Sequence, residues 1–310
     1  MILSIVLIVL GLALVVFGAD FLVDGASAIA RRFGVSEFVI GLTIVGFGTS
    51  MPEMVVSLTG ALEGNADISV GNVLGSNIMN VLLILGLTAL ISPIAISAQN
   101  LRRDIPVTLG VTLLMLGLGW TGGGLSRVEG LLFLLLFAGY IFWSFKTDKA
   151  DAEEAPGKPR SLFMAVLLVL GGLAALAFGG RLFVDNAVDF ARSVGVSDKF
   201  IAVTLLAGGT SLPELATCIV AAVKKRGQLA LGNILGSNVF NILLILGLSA
   251  SITPLSFAGI KWMDAGILVL SMLLVGFSAL TGRNHKVDRF DAALMLAAEA
   301  AYLAWLSVSL

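Results

Sequence analysis

The chain has 310 residues, 58% of them hydrophobic and 13% charged, and a net charge of −1. Soluble domains carry about 25% charged residues, and the mean hydropathy here is +1.03, so a soluble domain and a nucleic-acid partner are both excluded. An all-α polytopic membrane protein is expected, with the lipid bilayer as its surroundings. Cys218 is the single cysteine and His285 the single histidine, which rules out a disulfide within one chain and a Cys/His metal cluster.

A spanning helix needs about 20 mostly apolar residues. The first span is predicted over 2–30; it is apolar from Ile2 with no basic stretch before it, which argues against a cleaved signal peptide. Arg31 and Arg32 follow it and predict a cytoplasmic trailing end. Span two, 36–60, contains Gly48-Thr49-Ser50-Met51-Pro52-Glu53. Proline removes a backbone hydrogen bond and clashes with an upstream carbonyl, so the helix is expected to break here. Such a break is tolerated at membrane depth only where the freed groups line a cavity or are buried in protein. The freed carbonyl near Gly46 then becomes an oxygen ligand, and Glu53 is a functional candidate because an intramembrane carboxylate is costly.

Span three, 69–95, opens with Gly71-Asn72-Val73-Leu74-Gly75-Ser76-Asn77. The Gly71/Gly75 spacing admits close backbone approach, and Ser76 and Asn80, four apart, share a helix face. Spans four and five cover 103–121 and 127–145, and Tyr140 and Trp143 fit an aromatic belt. Residues 146–160 are rich in Lys, Asp, Glu, Ala and Pro and read as a short solvated cytoplasmic linker between two units, 1–145 and 161–310.

The second unit repeats the first. Spans are predicted over 161–190, 197–222, 229–254, 263–281 and 289–308. At a constant offset of 161 residues, the separation of Glu53 and Glu214, the run Gly209-Thr210-Ser211-Leu212-Pro213-Glu214 matches the first Pro-Glu run. Likewise Gly232-Asn233-Ile234-Leu235-Gly236-Ser237-Asn238 matches the opening of span three, and Asn241 matches Asn80. Asp24 matches Asp185, and after one inserted residue Tyr302 and Trp305 match Tyr140 and Trp143. Five spans per unit force the second to enter from the opposite side. The loop charges agree: Glu63 and Asp67 follow span two, whereas Lys224-Lys225-Arg226 stand in the equivalent loop, as in an inverted repeat. With both termini outside the cytoplasm, only Arg127, Arg192, Lys199 and Lys261 fall on the outer side, and Arg181 lies within span six.

The candidate site offers oxygen only. Glu53 and Glu214 bring carboxylates, Thr49, Ser50, Ser76, Thr210, Ser211 and Ser237 hydroxyls, Asn80 and Asn241 amides, and Gly46 and Ala207 carbonyls. Hard cations such as Ca²⁺ and Na⁺ prefer this set, and soft ligands are missing from it. The pair's charge of −2 is balanced by one Ca²⁺ or two Na⁺, while three Na⁺ leave +1, so the two cations can compete for one pocket. Packing and capping account for single Thr-Ser or Gly-rich pairs, and interfacial anchoring for Asp20, Asp24 and Asp185. Arg181 is the one intramembrane base in reach of the glutamates, and Glu299 stands mid-span opposite Phe137 in the repeat.

These motifs, GTSMPE with GNVLGSNIMN and GTSLPE with GNILGSNVFN, resemble the two alpha repeats of the calcium/cation antiporter superfamily, in its short prokaryotic sodium/calcium exchanger branch. The resemblance spans essentially the whole chain. It implies ten transmembrane helices as two inverted five-helix repeats in the inner (plasma) membrane. Four cation sites lie between spans two, three, seven and eight. It implies Ca²⁺ and Na⁺ as transported ions, with no cofactor, no enzymatic activity and no obligatory protein partner. Glu53 and Glu214 would be the calcium ligands with the carbonyls of Thr49 and Thr210. Ser50, Ser76, Ser211, Ser237 and the carbonyls of Gly46 and Ala207 would complete sodium sites, with Asn80 and Asn241 flanking the middle. Asn241 departs from the aspartate of well-known members, which leaves proton coupling and potassium dependence open beside sodium coupling. A cation channel selecting ions through an acidic ring and an intramembrane hydrolase using paired carboxylates are the alternatives of other classes.

Overall fold

A computed structural model describes residues 2–64, 66–148, 160–195, 207–281 and 285–309. Its helices follow the apolar runs. They are α1 (Ile2–Phe33), the bent pair α2 (Glu37–Thr49) and α3 (Met51–Leu62), α4 (Asp67–Ile91), α5 (Asn100–Thr121) and α6 (Arg127–Thr147). The second half contributes α7 (Leu162–Ser193), the short α8 (Ala207–Thr210), α9 (Leu212–Val223), α10 (Gly227–Ile252), α11 (Trp262–Thr281) and α12 (Arg289–Ser309). Among the described residues eight helices are long and apolar enough to cross a membrane, and α2 with α3 makes a ninth span bent by 50°. The expected span over 197–222 is described only from Ala207 onward.

Local chemistry sets the ends. Ser36, Ser126 and Ser161 cap α2, α6 and α7 by accepting the N–H of Val39, Glu129 and Met164. Gly34 and Gly195, repeat mates just beyond α1 and α7, have φ of 63° and 84°, a left-handed conformation that glycine adopts without a Cβ clash.

α10 is the most deeply buried long helix and α4 the next, so the two helices that carry the Gly-Ser-Asn runs form the centre. Gly232 and Gly236 allow this on one side: a methyl group on Gly232 would meet the Phe38 carbonyl, and one on Gly236 would lie 2.5 Å from the Leu42 carbonyl oxygen. The matching partners of Gly71 and Gly75 fall at 199–203, outside the described residues.

α1 and α7 lie antiparallel against each other along their length. A methyl group on Gly18 would sit 2.9 Å from the Gly172 carbonyl oxygen, and one on Gly179 2.9 Å from that of Gly11. Gly18 and Gly179 are therefore points of close backbone contact between α1 and α7. Outside this pair, two short antiparallel ladders tie the halves together. Ile94–Ala95 pairs with Lys286–Val287, and Gly124–Leu125 with Leu255–Ser256.

Tyr140 does not sit in an aromatic belt. It is buried and donates to Asp104 Oδ1 at 2.8 Å, and that aspartate also receives Arg103 Nε at 2.8 Å and Asn100 Nδ2 at 3.1 Å. Tyr302 repeats the motif by donating to Asp264 Oδ1 at 2.9 Å.

Candidate functional site

Each Pro-Glu run folds into the same break. Ser50 and Ser211 leave the helical region at φ/ψ of −81°/8° and −86°/7°, and a new helix starts at once with proline in its first turn. Glu53 and Glu214 thereby fall in the first turns of α3 and α9, where the helix dipole favours negative charge. Pro52, having no N–H, releases the carbonyl of Gly48 four residues back. The Gly46 carbonyl keeps its helical partner, accepting Ser50 N–H at 3.1 Å, and Thr49 Oγ1 approaches it at 3.5 Å, so a ligand would compete with that hydroxyl for its second lone pair. Ala207 opens α8, one turn before the second break.

The two breaks meet. Ser50 Oγ donates to Glu214 Oε1 at 2.9 Å, and Ser211 Oγ donates to Glu53 Oε1 at 3.0 Å. Each carboxylate is thus held by the opposite half of the chain, and both are almost fully buried. Their other oxygens, Oε2 of Glu53 and of Glu214, have no hydrogen-bond partner within the protein.

The asparagines behave the same way. Asn80 Nδ2 donates to Asn238 Oδ1 at 3.0 Å and Asn241 Nδ2 to Asn77 Oδ1 at 2.8 Å. Asn77 and Asn238 in turn donate to each other's backbone carbonyls at 3.2 and 3.4 Å. This ladder uses one N–H of each amide and leaves Oδ1 of Asn80 and Asn241 without partners, together with Thr210 Oγ1 and Ser237 Oγ. Unsatisfied buried polar atoms are uncommon and each calls for an explanation. Six that belong to the expected site residues are all oxygens, the atom type a hard cation coordinates. Ser76 is buried beside them on α4, and Thr49 donates to Asn233 Oδ1 at 3.1 Å.

Three features of the site escaped the sequence reading. Asn72 donates to Ser57 Oγ at 3.0 Å and to the Glu53 carbonyl at 3.2 Å, and Asn233 donates to Cys218 Sγ at 3.2 Å. These tie α4 to α3 and α10 to α9; the repeat match of Asn72 with Asn233 and of Ser57 with Cys218 was the available signal. The third feature is a wide helical turn in α2 (Gly41–Val45), α4 (Asn80–Leu85) and α10 (Phe240–Ile245), a π-type distortion frequent at functional sites. Arg181 does not pair with either glutamate: its contact is Asp185, at 3.7 Å.

Two cavities beside the α1–α7 pair differ in their reach among the described residues. A cavity of about 680 Å³ between α3, α7 and α9 reaches Asn72 and Thr210 and is bordered by Arg181 and Asp185. Its counterpart between α1 and α9, about 440 Å³, is lined by Leu12, Val15, Leu215, Val220 and Lys224 and touches no site residue. At that end Lys224 Nζ binds Asp20 at 2.8 Å and Asp24 at 2.6 Å, Arg160 binds Asp24 at 2.9 Å, and Arg226 binds Glu37 at 2.6 Å.

Residues 3–146 and 164–308 match the protein family described as sodium/calcium exchanger protein. Inner membrane protein YrbG of Escherichia coli is 40% identical over 82% of this chain and 81% of its own length. The sodium/calcium exchanger MaX1 of Methanosarcina acetivorans is 33% identical over 96% of both chains. Solved structures of the sodium-calcium exchanger NCX_Mj, one of them soaked with Na⁺ and Ca²⁺, superpose with a TM-score of 0.86 at 36% identity over 98% of both chains.

Proposed function

This chain belongs to the sodium/calcium exchanger family, and from that premise we propose that it is a secondary antiporter that exchanges Ca²⁺ for Na⁺ at the Glu53–Glu214 site. It is a multi-pass membrane transporter rather than an enzyme. The observation that carries the reading is the reciprocal Ser–Glu pair with its six unpartnered buried oxygens. One Ca²⁺ neutralises the two carboxylates, and Na⁺ ions entering the same oxygens displace it.

In this reading Glu53 and Glu214 ligate Ca²⁺ with the carbonyls of Thr49 and Thr210. Ser50, Ser76, Ser211, Ser237 and the carbonyls of Gly46 and Ala207 complete sodium sites, flanked by Asn80 and Asn241. The chain forms ten spans as two inverted five-helix repeats, 1–145 and 161–310, joined by the linker 146–160. The antiparallel α1–α7 contact and the exchange of bonds between mates support this, because an inverted repeat generates such pairs. Both termini then lie outside the cytoplasm, the Lys224 end faces the cytoplasm by the positive-inside rule, and the inner membrane location follows that of YrbG. The wide cavity opens outward, and α1 with α7 moves across the remaining helices to expose the site to either side. Sodium entering down its gradient drives calcium out.

A second reading, proton-coupled exchange, is favoured by Glu299, a buried carboxyl in α12 whose Oε2 has no partner. Proteoliposomes loaded with ⁴⁵Ca²⁺ separate the two. Release on adding external Na⁺ but not on an imposed pH gradient is expected; release by the pH gradient alone overturns sodium coupling, and release with no counter-ion overturns antiport.

A further inference from the structure

The two ends of the molecule carry the same ionic contact with its polarity reversed. At the narrow-cavity end Lys224, just past α9, binds Asp20 and Asp24 of α1 at 2.8 and 2.6 Å. The repeat mates of these residues are Glu63, just past α3, with Arg181 and Asp185 of α7. Asp20 has become Arg181 and Lys224 has become Glu63. One sign change would have turned attraction into repulsion, and two restore it. At the wide-cavity end the pair is apart. Arg181 and Asp185 are 85% and 67% exposed and hold only each other, at 3.7 Å, and Glu63 makes no ion pair among the described residues.

Resting on the antiport reading above, we propose that Glu63 and Arg181 are an ionic latch that closes the wide cavity. Lys224 with Asp20 and Asp24 is its mate, released when the latch forms. Alternating access moves one part of an inverted-repeat transporter against the rest around a fixed site, and the pseudo-two-fold axis makes the opposite state the one in which each half takes the arrangement the other has now. Carried through the repeat, the present Lys224–Asp20 contact becomes a Glu63–Arg181 contact in the opposite state. The guanidinium then bridges Glu63 and Asp185, as Lys224 now bridges two aspartates. The reversal also has a physical cause. Charge bias across the membrane places lysine in one loop and an acid in the equivalent loop on the other side, so the partner on the moving helix had to change sign too. In either state one latch is made and one is broken, which keeps the energies of the two states close, as an exchanger requires.

Cysteine cross-linking tests this. The parent protein serves as background, since its single cysteine, Cys218, is fully buried. In it, Asp20→Cys/Lys224→Cys and Glu63→Cys/Arg181→Cys are oxidised in membranes during exchange. Both pairs are expected to cross-link, each stopping ⁴⁵Ca²⁺ exchange until reduced. A Glu63/Arg181 pair that stays open while the Asp20/Lys224 pair closes, or that closes without stopping exchange, overturns the latch. Cross-links are read on a gel, independently of cargo. Both pairs forming in a protein that carries out no Na⁺-driven exchange therefore sinks the sodium/calcium reading and leaves the latch standing. Charge reversal supplies a second measure. Arg181→Glu is expected to slow exchange roughly three-fold, the scale of an exposed ion pair, and added Glu63→Arg to restore it; absence of restoration overturns the proposal.

Discussion

Replacing Glu214 by glutamine removes one charge and little else. The Gln Oε1 can still accept the Ser50 hydroxyl that now reaches Glu214 Oε1 at 2.9 Å, so the geometry of the break survives. What is lost is half of the −2 that would balance Ca²⁺ in the proposed site. Leaving a buried ion without its partner costs about 3–5 kcal/mol. At about 1.4 kcal/mol per decade, Ca²⁺ binding should weaken by roughly two to nearly four orders of magnitude. Glu53→Gln should do the same, because Ser211 holds Glu53 from the other half at a nearly equal 3.0 Å. Titration calorimetry on purified protein, with size-exclusion profiles to confirm folding, measures the loss directly. Either variant binding Ca²⁺ within ten-fold of the parent would refute the idea that the two carboxylates form one shared site.

Gly18→Leu should force α1 away from the Gly172 carbonyl, which lies 2.9 Å from the first added carbon. An overpacked interface costs about 1–3 kcal/mol, visible as a lower melting temperature and lost exchange. Tyr140→Phe leaves the buried Asp104 with one fewer donor, a cost of about 1–3 kcal/mol. Tyr302→Phe, at a half-buried position, should cost less; thermal unfolding ranks the two. If three Na⁺ exchange for one Ca²⁺, each cycle moves one net charge, so uptake into potassium-loaded vesicles should change when valinomycin sets the membrane potential. Voltage-independent uptake removes that stoichiometry.

Helix boundaries were legible wherever an apolar run ended in charge or in a turn residue: the expectation over 127–145 became Arg127–Thr147 and that over 229–254 became Gly227–Ile252. The Pro-Glu breaks were legible because proline has a single mechanical effect on a helix. The reciprocal Ser–Glu bonds were not, since a repeat shows which residues are equivalent but not that each serves its mate's partner. The wide turns at Asn80 and Phe240 had no signature: an extra residue rotates the face that follows it, but the runs Val81–Leu85 and Ile242–Leu246 are apolar all round and have no face to rotate. Asp104 and Asp264 were missed for a different reason. The 161-residue register slips between Pro93 and Tyr140, so these aspartates stand 160 apart and their tyrosines 162 apart, and alignment on either frame hides the pair.

The exchange of hydrogen bonds between halves also bears on how the protein is made. Ser211, the donor to Glu53, is 158 residues downstream. At about 5–20 residues per second of synthesis, Glu53 enters the bilayer roughly 8–30 s before its partner exists. The nascent first half is an unfinished bundle with a buried acid and two amide oxygens waiting. Until Ser211 is made, the Glu53 carboxyl lacks the hydroxyl that holds it in the finished protein.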